Sequence, residues 1–193
     1  MSAALVYLHG FLSSPASAKG RLLEAACCGR ALFAAPDLNL PPLEADRLVD
    51  ETIKGFDPAS LTIVGSSLGG FYAARAAVKT GARAVLLNPC IDPWVFVKGE
   101  TGPQKVFGTD RVLDVKESYS DDLRSLAEAV SPLGLKPGQA LAVLSTGDEV
   151  LDWRKAQKAY AHLRQVILPG ADHRIARFAA VLPRVMDFAL SGF

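Results

Sequence analysis

Gly65-Ser66-Ser67-Leu68-Gly69-Gly70 stands between the apolar run Leu61-Thr62-Ile63-Val64 and a stretch of helical character, Phe71 to Lys79. Strand, tight glycine-rich turn, helix is the setting in which the spacing Gly-x-Ser-x-Gly exposes a serine. Turning a strand sharply into a helix crowds the backbone. Glycine on either side of the apex, Gly65 and Gly69, removes the Cβ atoms that would collide. Ser67 at the apex is expected in a strained conformation with its hydroxyl exposed. It sits close to a helix N-terminus, where unpaired N–H groups favour negative charge. Two plainer readings compete. One is a softened turn whose two serines cap the helix. The other is a phosphate-binding turn, which would want Gly-Lys-Ser/Thr for a nucleoside triphosphate; no lysine lies between Leu61 and Lys79.

Outward from this turn, the chain alternates short apolar runs with helical stretches. Leu5 to Leu8, Ala31 to Ala34, Leu61 to Val64, Ala84 to Leu87, Leu141 to Leu144 and Val166 to Leu168 read as strands without polar alternation. Such strands belong in a parallel sheet covered by helices on both faces. A helix is expected from Ser13-Ser14-Pro15 to about Cys28, with proline in its first turn. Others are expected from Leu43 to Lys54, from Trp153 to Leu163 and after His173, the last kinked or restarted at Pro183. Between Cys90 and about Lys136 the rhythm changes, and this stretch is too long for a plain connection. We read 91–131 as a cap-like insertion within a single domain spanning 1–193. Ser120 is expected to cap a helix from Asp121 to Val130.

Right-handed crossovers and a start in the middle of the sheet give the strand order 2-1-3-4-5-6. The switch point then falls between the first and third strands, which end near Gly10 and Gly65. Ligands bind beside such a point, at the carboxyl ends of strands. The His9-Gly10-Phe11 loop and the Ser67 turn should therefore face one crevice.

A serine hydroxyl is a poor nucleophile until a base takes its proton. The chain has three histidines, His9, His162 and His173. His9 belongs to the first-strand loop and reads as structural. His162 falls on the solvent face of its helix. His173 follows the sixth strand, at the same end of the sheet as Ser67, and is the expected base. A carboxylate must orient it. Asp148 lies just beyond the fifth strand, in Thr146-Gly147-Asp148-Glu149-Val150-Leu151-Asp152, whereas Asp152 is placed to cap the next helix. The chain order Ser67, Asp148, His173 is that of α/β-hydrolases. Backbone N–H groups must also meet the developing oxyanion. Leu68, which follows the nucleophile, supplies one. Phe11 is expected to supply the other, with Leu12 as the fallback.

Composition excludes several classes. With 193 residues the chain can bury a full core; half of them are hydrophobic, 21% are charged and the formal net charge is +1. No charge imbalance points to nucleic acid or a membrane surface, and no apolar run approaches about 18 residues. The N-terminal residues do not read as a signal peptide. Cys27, Cys28 and Cys90 are odd in number and two are adjacent, which argues against a disulfide framework and for a cytoplasmic location.

The motifs together resemble a known family. Tyr7-Leu8-His9-Gly10-Phe11 with Ser13-Ser14-Pro15, the Ser67 turn, Asn88-Pro89, the Asp148 stretch and Gly170-Ala171-Asp172-His173 are similar to the small bacterial esterases of the YqiA type. The resemblance covers nearly the whole chain and departs from the family pattern between Ile91 and Val130. It implies a compact α/β-hydrolase acting on a small-molecule carboxylic ester or thioester, with Ser67, His173 and Asp148 as triad and no cofactor or metal. The divergent segment is expected to line the acyl pocket, with Trp94 and Phe96 covering the acyl group. A peptidase on the same fold, or a hydrolase-fold binding protein with little turnover, are the alternatives.

Overall fold

A computed structural model describes residues 2–191. Six parallel strands form the main sheet: β1 (Ala4–Leu8), β2 (Leu32–Ala34), β3 (Leu61–Ser66), β4 (Arg83–Leu87), β7 (Ala140–Ser145) and β8 (Arg164–Leu168). Their spatial order is β2-β1-β3-β4-β7-β8, the order expected from the sequence once the two intervening strands are set aside. Register is continuous across the sheet: Leu8 pairs with Gly65, Gly65 with Leu86, and Leu86 with Ala142.

The strands lack polar alternation because both faces are covered. Val6, Leu8, Ile63, Leu86 and Leu144 pack with α2 (Pro42–Ile53) and α3 (Leu68–Thr80) on one side. Leu5, Tyr7, Val64, Val85 and Val143 pack with α1 (Ala18–Cys27) and α7 (Phe178–Leu190) on the other. Burying one Leu or Val side chain contributes about 1.5–3 kcal/mol. A polar residue at these positions would therefore cost more than a whole helix cap contributes.

Several boundaries differ from the expectation. Helix α1 starts at Ala18, not at Pro15. Ser17 is its cap: the Ser17 hydroxyl accepts the Gly20 N–H at 3.3 Å and also bonds the Tyr7 hydroxyl. Helix α5 (Ser118–Ala129) already includes Ser120, whose Oγ donates to the Trp94 carbonyl instead of capping. Helix α6 (Trp153–Ala159) begins with Asp152 as its cap, as expected, but ends four residues early. The Gln165 amide donates to the Gln157 and Tyr160 carbonyls, satisfying the last turn and turning the chain into β8. Helix α7 runs through Pro183 as one element without restarting. Proline there removes a single helical bond near the start.

Between β4 and β7 the chain builds α4 (Pro93–Lys98), an antiparallel hairpin of β5 (Gly102–Lys105) and β6 (Val112–Val115), and then α5. The hairpin was not legible in the sequence. Its tip reaches the carboxyl edge of the main sheet. Phe107 N–H donates to the Leu12 carbonyl at 2.8 Å, Arg111 pairs with Asp37, and the Arg174 guanidinium stacks on the Phe107 ring at 4.9 Å. The base of the segment is held by Arg75, a buried side chain on α3. Its guanidinium pairs with Asp46 of α2 and donates to the Val130 carbonyl at the end of α5. Removing one partner of a buried pair of this kind costs about 3–5 kcal/mol.

Candidate active site

The loops that leave β1, β3, β4, β7 and β8 meet at one edge of the sheet. Strain marks the place. Among the described residues, the non-glycine positions with positive φ are Leu12, Ser67, Asn88 and Ile175, and each lies beyond the carboxyl end of a main-sheet strand. Such conformations cost on the order of 1–3 kcal/mol and persist only where surrounding structure over-determines them.

Ser67 has φ 54° and ψ −120° and directly precedes α3. Both flanking glycines are obligatory. A Cβ on Gly65 would lie 2.2 Å from the Gly69 carbonyl oxygen, and one on Gly69 would lie 2.1 Å from the Leu8 carbonyl oxygen. The turn is locked from β4 as well. Ser67 N–H donates to the Leu87 carbonyl, and the Ser67 carbonyl accepts Cys90 N–H. Ser67 Oγ caps nothing in α3, which removes the capping explanation of this serine.

His173 follows β8 in a loop opened by Gly170. Its Nδ1 lies 2.7 Å from Asp148 Oδ2. The other oxygen of Asp148 accepts Val150 and Leu151 N–H at 2.9 and 2.8 Å. Burial alone would raise the Asp148 carboxyl; the bonds from His173, Leu151 and Val150 outweigh it and hold the group below the usual carboxylate range. Asp148 is therefore ionised and fully engaged, and its ring-facing oxygen holds the proton of His173 on Nδ1. Asp152 is occupied as the α6 cap, where it accepts Arg154 N–H. Glu149, which reads as an ordinary turn residue, accepts the His173 backbone N–H at 2.9 Å.

The first-strand loop approaches Ser67 closely. A Cβ on Gly10 would stand 3.1 Å from Ser67 Cβ. The N–H groups of Phe11 and Leu68 have no hydrogen-bond partner among the described residues. His9 is structural, as its position implied. Leu38 N–H donates to His9 Nε2 at 2.9 Å, so the ring proton is on Nδ1, and it is given to the Gly10 carbonyl at 2.8 Å. Burial lowers the His9 pKa despite the Gly10 carbonyl and Asp37 nearby, keeping the ring neutral. His162 is exposed at the turn after α6 and bonds the Leu135 carbonyl, far from this cluster in the fold.

Phe11 and Leu68 wall a narrow cavity with Tyr72, Val97, Tyr119 and Leu123; its ≈ 20 Å³ hold about one water-sized group. Trp94, expected to cover the acyl group, does not line this cavity. It lines a separate space of ≈ 310 Å³ between α4 and α5, with Ile91, Arg124 and Leu133. Val97 is buried against the narrow cavity, while Trp94 is partly buried and packs on the core beside α5, where its carbonyl accepts Ser120 Oγ. Phe96 lines a third space of ≈ 180 Å³ beside Leu151 and meets Phe11 edge-on at 5.5 Å.

Sequence reasoning missed Asn88. It is buried at the end of β4, and its amide reaches both β7 and the His173 loop. The available signal was asparagine at a strand end, one of the few residues that tolerate a left-handed backbone. Among the described residues, no group of His, Cys, Asp and Glu is arranged to hold a metal, and no helix is long and apolar enough to cross a membrane.

A family model described as "Uncharacterised protein family (UPF0227)" matches residues 4–190. A UPF0227 protein of Shewanella sp. strain ANA-3 is 30% identical over 202 residues, covering 97% of this chain and 99% of its own. A UPF0227 protein of Shewanella woodyi is 27% identical over 191 residues, covering 95% and 98%. Among solved structures, mouse alpha/beta hydrolase domain-containing protein 10 aligns with a TM-score of 0.68 at 14% identity, covering 97% of this chain and 90% of that one. Carboxylesterase CesB from Bacillus subtilis aligns at 0.66 and 15%, covering 100% and 85%. At these identities the structural likeness establishes the fold. The chain belongs to the UPF0227 family and has the α/β-hydrolase fold.

Proposed function

We propose that this protein is a serine hydrolase that cleaves a carboxylic ester or thioester through an acyl-enzyme. The observation that carries the reading is the conjunction of a strained Ser67 with a His173–Asp148 pair at 2.7 Å, on loops of the same sheet edge. Ser67 Oγ attacks the acyl carbonyl and its proton passes to His173 Nε2. The tetrahedral oxyanion is held by the N–H groups of Phe11 and Leu68. Collapse breaks the bond to the leaving alkoxide or thiolate, which takes the proton from His173. Water, deprotonated by His173, then attacks the acyl-Ser67 ester, and the proton returns to Ser67 as the acid departs. Asp148 stays ionised throughout and stabilises the imidazolium.

The structural neighbours named as hydrolases and carboxylesterases support this class of chemistry. The narrow cavity beyond Phe11 and Leu68 favours a short acyl group. The segment 91–131 acts as a small cap, because its hairpin tip bears on both the Leu12 loop and Arg174 next to the base. The test is covalent labelling by a fluorophosphonate together with turnover of p-nitrophenyl esters and acyl thioesters of graded chain length. Labelling at Ser67 with turnover of short esters is the expected result. Labelling without turnover on any substrate of either class would favour the binding-protein alternative.

A further inference from the structure

Asn88 sits where the two halves of the proposed machinery meet. The segment Leu87–Cys90 holds the nucleophile turn through its backbone, by Ser67 N–H to the Leu87 carbonyl and Cys90 N–H to the Ser67 carbonyl. The Asn88 side chain turns the other way. Its Oδ1 accepts the Ser145 backbone N–H at 2.8 Å. A backbone N–H can only donate, so this bond fixes which end of the amide is oxygen. The Nδ2 group then points at the His173 loop. It donates to the His173 carbonyl at 2.9 Å and to Ser145 Oγ at 3.0 Å, with a longer 3.4 Å contact to the Asp172 carbonyl. Two protons serve three acceptors, and the two short bonds are the ones that bind. Asn88 is buried, and its φ of 44° is a conformation that asparagine and glycine adopt most readily.

We infer that Asn88 is a positioning residue that fixes the reach of His173 toward Ser67 by clamping the His173 main chain to the strand ends that hold the nucleophile. The ring is restrained at Nδ1 by Asp148, but that bond leaves the ring free to swing about it. The main chain of the same residue is held on both sides: Glu149 accepts its N–H from the loop after β7, and Asn88 donates to its carbonyl from the nucleophile's side. The inference rests on the serine-hydrolase reading. It adds that the catalytic distance is set by β4 and not by the loop after β8 alone.

The experiment compares Asn88→Asp and Asn88→Gly with Ser67→Ala and Thr62→Val. Asn88→Asp keeps the size, the backbone preference and the acceptor for Ser145 N–H, and removes the donors to the His173 carbonyl. Asn88→Gly removes the side chain without adding charge. Thr62→Val deletes a buried hydrogen bond to the Ala189 carbonyl elsewhere in the sheet, matching the loss of one internal bond. Both Asn88 variants should lower kcat on a short p-nitrophenyl ester by about 100-fold, the scale of a misplacement near 1 Å. KM should stay within about twofold, and fluorophosphonate labelling should slow in step with kcat. Thr62→Val should lower the melting temperature and keep kcat. Folded Asn88 variants with wild-type kcat, beside an inactive Ser67→Ala, would overturn this inference alone; a fully active Ser67→Ala would overturn the serine reading and this inference with it. Should neither Asn88 variant fold, NMR on the wild type decides. Scalar coupling across the bond from Asn88 Nδ2 to the His173 carbonyl supports the clamp, and rapid exchange of the Nδ2 protons with solvent overturns it.

Discussion

His173 Nδ1 lies 2.7 Å from Asp148 Oδ2, and Asp148 Oδ1 is saturated by the N–H groups of Val150 and Leu151. The carboxylate has one oxygen for the fold and one for the ring. Asp148→Asn should keep the first role and reverse the second. The amide oxygen takes the Val150 and Leu151 bonds, its NH2 faces the ring, and His173 is left with its proton on the wrong nitrogen. Turnover should fall on the order of 10⁴-fold with little change in melting temperature. Asp152→Asn should be nearly silent, because asparagine also caps α6. Measuring kcat and melting temperature for both variants checks the assignment, and the reverse pattern would give the acid role to Asp152.

Ser67 combines function with strain. Ser67→Ala should abolish fluorophosphonate labelling and lower turnover by about 10⁴-fold or more. Ser66→Ala should have a far smaller effect, since Ser66 closes β3 and is not at the apex. Ser67→Gly should be equally inactive but more stable than Ser67→Ala by about 1 kcal/mol, because glycine accepts φ 54° without a clashing Cβ. Chemical denaturation of the two inactive variants reads this difference directly. Equal stabilities would mean that the turn is not strained.

Burial lowers the His9 pKa, so the folded protein binds a proton there less readily than the unfolded chain does. The unfolded state therefore takes up more protons below about pH 6.5, and stability from this residue is lost as pH falls from there toward the folded value. His9→Gln should remove that contribution. The difference in unfolding free energy between wild type and variant should shrink with falling pH, by at most about 1.4 kcal/mol per unit. Urea titrations between pH 5 and 7.5 test it. Asp148 acts in a lower window: its folded pKa is depressed, so its contribution is full above about pH 4 and lost below.

The proposed placement of the acyl group in the narrow cavity beyond Phe11 and Leu68 gives a specificity prediction. Tyr119 and Val97 wall this cavity, whereas Trp94 lines a different space. Tyr119→Ala should shift the preferred substrate from acetate toward longer p-nitrophenyl esters, raising kcat/KM for the longer chain about tenfold relative to acetate, within the range of one to two methylenes in an apolar pocket. Trp94→Ala should leave the chain-length profile as it is. A profile moved by Trp94→Ala and not by Tyr119→Ala would place the acyl group between α4 and α5.

Local pattern carried the parts of this protein that depend on sequence neighbours. Uninterrupted apolar strands such as Leu141 to Leu144 require burial on both faces, and that alone implies a parallel sheet between helix layers. Crossover handedness then orders the six strands. Gly65 is demanded by contacts with Gly69 and Ala73, close to the turn, whereas Gly69 is demanded by the Leu8 and His9 carbonyls, far back in the chain. Asp148 and His173 were legible because each follows its own strand to the same edge. What the tertiary structure decided depends on residues distant in the chain. The β5–β6 hairpin is short and edge-exposed, with Gly102, Pro103 and charged residues that carry no strand signal, and contacts at Leu12 and Arg174 hold its tip. Trp94 reads as an acyl-pocket residue by type, but which space it lines, here one beside Arg124 and Leu133, depends on how α4 packs against α5. Asn88 is an ordinary strand-end asparagine until β7 and the His173 loop close around it. A polar side chain declares its role only when folding strips it of water and leaves it with three specific partners across 57 and 85 residues of chain.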